Sequence, residues 1–317
     1  MITRYWMLLL LLLLAACGSD EAAGVVVTEE VAVSTPSSIP PSPQPTVTPS
    51  PIPPTPTPTP PLAATVNDAP IYLADYEQEL ARYQQARVAL DLPADEAASQ
   101  IVLDALIEQE LILQAAAVQG VVVPETAVSA RLTELKTNGD DFEAWLATNQ
   151  WESADAFRDA LADEMVVGLM ADAITADVPY VTPQAHARII QLIDAAAAST
   201  VQAELAAGSS FSLMAQLYST DKATAANGGD IGFFAQGSLL VPEVDAAAFA
   251  LEPNSYSDLI TVTAADGTQA FYLVQLIEID EQRPLTATMR YTLLQTKFDE
   301  WLARQWEQTA VERFVNE

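Results

Sequence analysis

Hydrophobic and polar positions follow different rhythms along the chain. Near the start, leucines fill every position from 8 to 14, inside an unbroken apolar stretch of 12 residues, 5–16. A long segment without any period follows. From 65 to 176 the rhythm is helical. A short strand and turn at 65–71 lead into a helix over about 74–90, which the Asp91-Leu92-Pro93 break ends. Ile101, Leu103, Leu106, Ile107, Leu111 and Leu113 then form a broad apolar face that stops at Gly120, a C-cap residue. Pro124 suits the first position of a helix carrying Val128, Leu132 and Leu135. Ser153 caps another, on which Phe157, Leu161, Met165 and Leu169 recur every four residues.

Beyond Val178-Pro179 strands enter. The pattern predicts a strand at 185–193, helices at 194–206 and 211–217, a glycine-rich turn at 227–230, and a short helix at 242–250. Two further strands, 258–263 and 270–279, flank the Asp266-Gly267 turn as a hairpin. The tail, 289–314, returns to helix, with Tyr291, Leu294, Phe298, Trp301 and Leu302 on one face. The fold class is therefore α+β: N-terminal helices and a C-terminal helix form one helical domain, and a small antiparallel sheet with its own helices is inserted between them. The expected boundaries are a leader at 1–16, a spacer at 17–64, a helical domain at 65–180, the inserted domain at 181–282 and the returning helix at 283–317.

Composition changes the reading most at the N-terminus. A 12-residue apolar run is short of the ~20 residues that span a bilayer, so it reads as an export signal and not a membrane anchor. It ends in Leu14-Ala15-Ala16-Cys17-Gly18, a pattern similar to a bacterial lipobox, with Cys17 as the lipid acceptor. An ordinary secretory signal with an incidental cysteine is the plainer reading. Against it, Cys17 is the single cysteine, so no disulfide within the chain can protect its thiol after export. Positions 34–61 hold 13 prolines among 28 residues, with Ser and Thr supplying 11 of the other 15. Proline fixes φ and lacks an N–H, so this reads as an extended spacer between lipid and folded parts.

The formal net charge of −30, with 13 basic residues, excludes nucleic acid as a partner, since that binding rests on Lys and Arg neutralising phosphates. It equally excludes adhesion to anionic lipid by charge alone, leaving the Cys17 lipid as the link to the membrane. The Gly228-Gly229 turn is followed by no lysine and no strand–loop–helix arrangement, so phosphate binding is not expected there.

Certain words of the inserted segment, in order and spacing, resemble the parvulin (PpiC/rotamase) family of peptidyl-prolyl isomerases. They are Phe211-Ser212-Leu213-Met214-Ala215 with Tyr218-Ser219-Thr220-Asp221, then Gly228-Gly229-Asp230-Ile231-Gly232-Phe233-Phe234, then Gly237-Ser238-Leu239-Leu240-Val241-Pro242-Glu243 leading into Ala246-Ala247-Ala248-Phe249. The flanks at 66–76 and Phe298–Trp301-Leu302 look like the chaperone arms of exported parvulins of the SurA and PrsA kind. The resemblance implies a site without metal or cofactor. Two histidines face each other on neighbouring strands, beside an Asp or Cys and an apolar pocket for the proline ring. It places Asp221 at the Asp/Cys position, and Ile231, Leu239 or Leu240, Val244 and Phe249 in the pocket. Val244 stands where the family has Phe.

The same resemblance aligns Ile189 and Tyr272 with the two histidines. The chain has one histidine, His186, so a paired-imidazole site cannot form. His186 lies three positions before Ile189, and an odd offset along a strand points to the other face. The function implied is a lipid-anchored, extracytoplasmic foldase acting on unfolded or X-Pro-containing exported polypeptides, with isomerase activity weakened or lost. A non-catalytic chaperone of the same fold is the competing expectation, and a ligand-binding surface lipoprotein a more distant one.

Overall fold

The computed structural model of the protein describes residues 60–138 and 141–315. The leader, Cys17 and most of the proline-rich spacer lie outside the described residues. The chain divides into two compact units. One holds Leu111–Val123 and Asp163–Thr309; the other holds Pro124–Ala162 together with the described residues up to Glu110 and from Ala310 onward. Among the described residues no helix is long and apolar enough to cross a membrane.

In the second unit a three-stranded antiparallel sheet has the order β2-β1-β7, formed by β1 (Leu62–Val66), β2 (Ala69–Tyr72) and β7 (Val311–Arg313). Asn67 and Asp68 both adopt positive φ (48° and 69°), the backbone of a two-residue hairpin whose twist matches the strands it joins. The central strand buries Ala63, Ala64 and Val66 completely. Helix α1 (Leu73–Ala89) ends ahead of Pro93, and α2 (Ala98–Gln119) ends at Gly120, whose φ of 70° fits the left-handed turn that glycine adopts freely.

Helix α3 (Glu125–Asn138) begins one residue after Pro124, whose carbonyl accepts the N–H groups of Ala127 and Val128. Proline thus stands just outside the helix, not at its first position. The short α4 (Phe142–Thr148) left no readable period. Asp141 caps it by accepting the Ala144 N–H at 3.0 Å. Its Phe142 and Trp145, with Trp151, gather around Phe157 at centroid distances of 5.7, 5.2 and 5.1 Å, and Arg82 lies 3.7 Å over the Trp151 ring. Ser153 caps α5 (Ala154–Thr175) through a 3.0 Å bond from the Ala156 N–H.

The first unit is built on a four-stranded antiparallel sheet of order β4-β3-β6-β5, from β3 (Val181–Leu192), β4 (Asp230–Ala235), β5 (Ile260–Thr263) and β6 (Gln269–Pro284). Two helices, α6 (Ala195–Ala206) and α7 (Phe211–Tyr218), cover one face, where Val201, Leu205, Phe211 and Met214 meet Ile190, Leu192 and Leu273. On the other face α8 (Pro242–Ala250) places Val244 and Ala248 against Ala185, Ala187, Val274 and Leu276. Alternate residues of the same strands feed the two clusters, as the two-residue period of a strand requires.

The tail is helical only to Gln308, as α9 (Ala287–Gln308), and not to 314. Residues 311–313 turn extended because β1 offers a free edge. Val311, Glu312 and Arg313 pair with Val66, Thr65 and Ala64, and the Phe314 N–H reaches the Ala63 carbonyl at 2.8 Å. A tertiary ladder of this kind overrides a local helical pattern.

Candidate functional site

The α8 face of the sheet brings the sequence-selected residues together. Ile189 on β3 lies opposite Val274 on β6, and Tyr272 on β6 lies opposite Gln191, so Ile189 and Tyr272 are diagonal neighbours on adjacent strands. Both are partly buried and pack on the one cluster, as do Ile231 from β4, Leu239 from the following loop and Phe249 from α8. Phe249 is further held edge-on to Phe234 at 5.7 Å. Two of the residues expected to line a pocket differ from the others. Val244 is 3% exposed and lies within the cluster, beneath its open surface. Of the two leucines at the pocket position, Leu239 packs inward while Leu240 is 97% exposed.

Asp221 reaches the same region through a loop stitched to β3. The Thr220 N–H donates to the Gln191 carbonyl at 2.7 Å, and the Gln191 N–H donates to the Ser219 hydroxyl at 3.2 Å. Farther along, the Ile189 N–H donates to the Gly229 carbonyl at 2.8 Å. This close approach explains the glycines. Gly228 and Gly229 have φ of 70° and 78°; a Cβ on Gly229 would fall 2.2 Å from the Ile189 carbonyl oxygen, and one on Gly228 would fall 1.9 Å from the Ser212 hydroxyl. The Asp221 carboxylate accepts from the Ala223 N–H at 3.0 Å and from the Thr224 hydroxyl. It therefore braces its own loop, and the Tyr272 hydroxyl makes no hydrogen bond to it.

Burial pushes the Tyr272 hydroxyl above its ordinary value of 10.0, and the charges of Asp221 and Glu243 push it further the same way. The phenol thus stays protonated and a donor across the neutral range. Chemically the face offers an apolar seat and one hydroxyl, bordered by carboxylates.

His186 is elsewhere. It sits between Ala185 and Ala187, both buried in the α8-side cluster, so its ring points to the opposite face of β3. There its Nε2 lies 2.9 Å from Asp230 and its ring 4.8 Å from Phe233. The one imidazole of the chain is thus part of a separate polar pairing.

One residue that sequence reasoning passed over is Asp245. It is 3% exposed, and its Oδ2 accepts the N–H groups of Gly237 and Leu239 at 3.0 and 3.3 Å. An acid in the first turn of a helix is commonplace in sequence terms, and nothing local announced its burial.

Comparison with known proteins agrees with this architecture. Residues 182–277 match the family model of the PPIC-type PPIASE (rotamase) domain, and residues 54–171 match that of the SurA-like N-terminal domain. The sheet and its α8 face therefore constitute a PPIC-type domain. The same chain carries a SurA-like N-terminal domain, and its relatives are PrsA foldases. The foldase protein PrsA of Streptococcus sanguinis is 39% identical over 103 residues, 32% of this chain and 30% of that protein. Its counterpart in Streptococcus gordonii is 32% identical over 158 residues, 46% of this chain and 51% of that one. The matches thus span about half or less of these relatives' length. Among solved structures, the peptidylprolyl isomerase PrsA of Bacillus cereus aligns over 76% of this chain and 87% of its own, with 20% identity and a TM-score of 0.45.

Proposed function

We propose that this protein is an extracytoplasmic foldase, lipidated at Cys17, that binds unfolded exported chains through its PPIC-type and SurA-like domains, with prolyl isomerisation weak or lost. The observation that carries this reading is the shared cluster on which Ile189, Tyr272, Ile231 and Leu239 all pack, in a chain whose single histidine faces the other way. An X-Pro bond rotates over a barrier of about 18–20 kcal/mol, and lowering it requires polar groups aimed at the twisted amide. The face retains the apolar seat for a proline ring, but the Tyr272 hydroxyl stands where an imidazole pair would act. Binding without efficient turnover follows from that inventory.

The test is a pair of assays on the full chain. Turnover of an Ala-Pro peptide is expected to be slow or undetectable, while aggregation of an unfolded test protein is suppressed. Turnover at the rate of a parvulin with both histidines would overturn the reading. The double variant Ile189→His, Tyr272→His is expected to gain isomerase activity, because both positions share one face; a folded double variant without any gain would show that the seat no longer accepts proline. The second reading, a chaperone with no isomerase role at all, is favoured by the same missing imidazoles. Cys17 lipidation is tested separately, by metabolic labelling with a fatty-acid probe in a bacterial host, which Cys17→Ser is expected to abolish.

A further inference from the structure

The loop at 236–240 presents two adjacent leucines in opposite senses. Leu239 is drawn into the α8-side cluster, while Leu240 stands free at 97% exposure. A lone exposed leucine is ordinary on a protein surface and says nothing by itself. What makes this one informative is the group that holds its loop. Asp245 is 3% exposed, and a buried carboxylate is costly unless its oxygens find donors. Its Oδ2 collects the N–H groups of Gly237 (3.0 Å) and Leu239 (3.3 Å), two loop positions that bracket a single residue. Its place in the first turn of α8 adds the favourable end of the helix dipole. Ser238, the residue between Gly237 and Leu239, is pinned as well, since its N–H and hydroxyl both donate to the Ala235 carbonyl, at 3.0 and 2.7 Å. Gly237 has a φ of 81°, a conformation that ordinary side chains rarely adopt, so the loop is held in one shape by charge-assisted bonds and by backbone choice together.

We propose that Asp245 is the positioning residue of this face. By fixing the loop it turns Leu239 inward as part of the seat and holds Leu240 outward at the rim, where Leu240 meets the side chain next to a bound proline and selects for an apolar one. The inference rests on the proposed function, since it names a preference of the same face. It gives the buried carboxylate a task beyond local stability. A loop that only had to cover α8 could do so with apolar residues, whereas a loop that must present one particular leucine needs its register held.

The test measures binding of two short peptides, one centred on Leu-Pro and one on Gly-Pro, to the full chain and three variants below their melting temperatures. The unaltered chain is expected to favour Leu-Pro by about three- to tenfold, the scale of burying part of one leucine side chain. Leu240→Ser is expected to bring that ratio close to one without moving the melting temperature, since its side chain is already in water. Asp245→Ala is expected to lose the preference too, and Asp245→Asn to keep it, because the amide oxygen still accepts both N–H groups. A merely structural aspartate would lower the melting temperature of Asp245→Ala and leave the peptide ratio unchanged, which overturns the proposal. An unchanged ratio in Leu240→Ser overturns it as well, independently of how Asp245→Ala folds. Failure of the unaltered chain to bind either peptide would instead refute the proposed function, and this inference with it.

Discussion

The two faces of the central sheet are made from alternate residues of the same strands, yet they end in different states. Beneath α6 and α7, Ile190, Leu192 and Leu273 are 0–2% exposed and the face is closed at its centre, with Leu259 and Phe271 partly buried around it. On the α8 side, Ile189, Ile231, Leu239 and Tyr272 keep part of their surface in water although they pack on a buried floor. Two helices cover one face, whereas α8, a clamped loop and Met289 of α9 cover the other only in part. A finished face supplies stability, and an unfinished apolar face above a rigid floor can exchange water for a partner. On the proposed function, what separates a stabilising face from a binding one here is how much of each is covered.

Substitutions that treat the two faces separately sharpen this contrast. The largest effect is expected at their junction. Gly229→Ala forces a side chain onto a positive φ and against the Ile189 carbonyl, and should cost about 4 kcal/mol or more. Urea unfolding would show it, and a loss below about 1 kcal/mol would mean that the loop is not locked to β3.

Next in size is Leu273→Ala on the closed face, expected at about 2–5 kcal/mol for a cavity at a fully buried leucine. Ile189→Ala, one position from the closed cluster but on the open face, should cost less because part of that side chain is already hydrated. Equal losses in the two variants would erase the distinction between the faces.

A smaller effect is pH-dependent. Burial pushes the Asp230 carboxyl up, but the Gly232 N–H and the His186 ring outweigh it and hold it below the usual 3.8. A carboxyl lowered in the folded state adds stability above its ordinary value and loses it as pH falls through the folded one. Melting temperature should therefore fall as pH drops below about 4, and Asp230→Asn should flatten that part of the profile. An identical acid profile in the variant would remove the His186–Asp230 pair from the account.

The smallest change concerns Tyr272, whose hydroxyl should titrate above its ordinary value of 10.0 in an alkaline absorbance titration. Tyr272→Phe should delete that late step with little loss of stability.

Much of this was legible in the chain. The helix starts at Ser153 and Asp194, the helix over 242–250 and the Asp266-Gly267 hairpin all follow from caps, proline placement and period, which are local properties. So does the odd spacing of His186 from Ile189, because alternation along a strand holds wherever the strand is regular. Legibility failed where the deciding interaction was distant in sequence. The 311–313 segment carries a helical pattern up to its edge, and only the unpaired side of β1 draws it into a sheet.

By itself the sequence determined most of the helices and strands, though not α4, β4 or β7, together with the absence of a histidine pair and the grouping of residues that resembles a parvulin site. The folded chain alone decided that Leu239 turns in while Leu240 turns out, that Val244 lies under the surface, and that Asp245 is buried beneath a loop it holds. The physical reason is one of range. Caps, turns and periods act within a few residues of backbone, whereas burial and the pairing of a carboxylate with distant N–H groups depend on which surfaces meet, and that is set only when the whole sheet has closed on its helices.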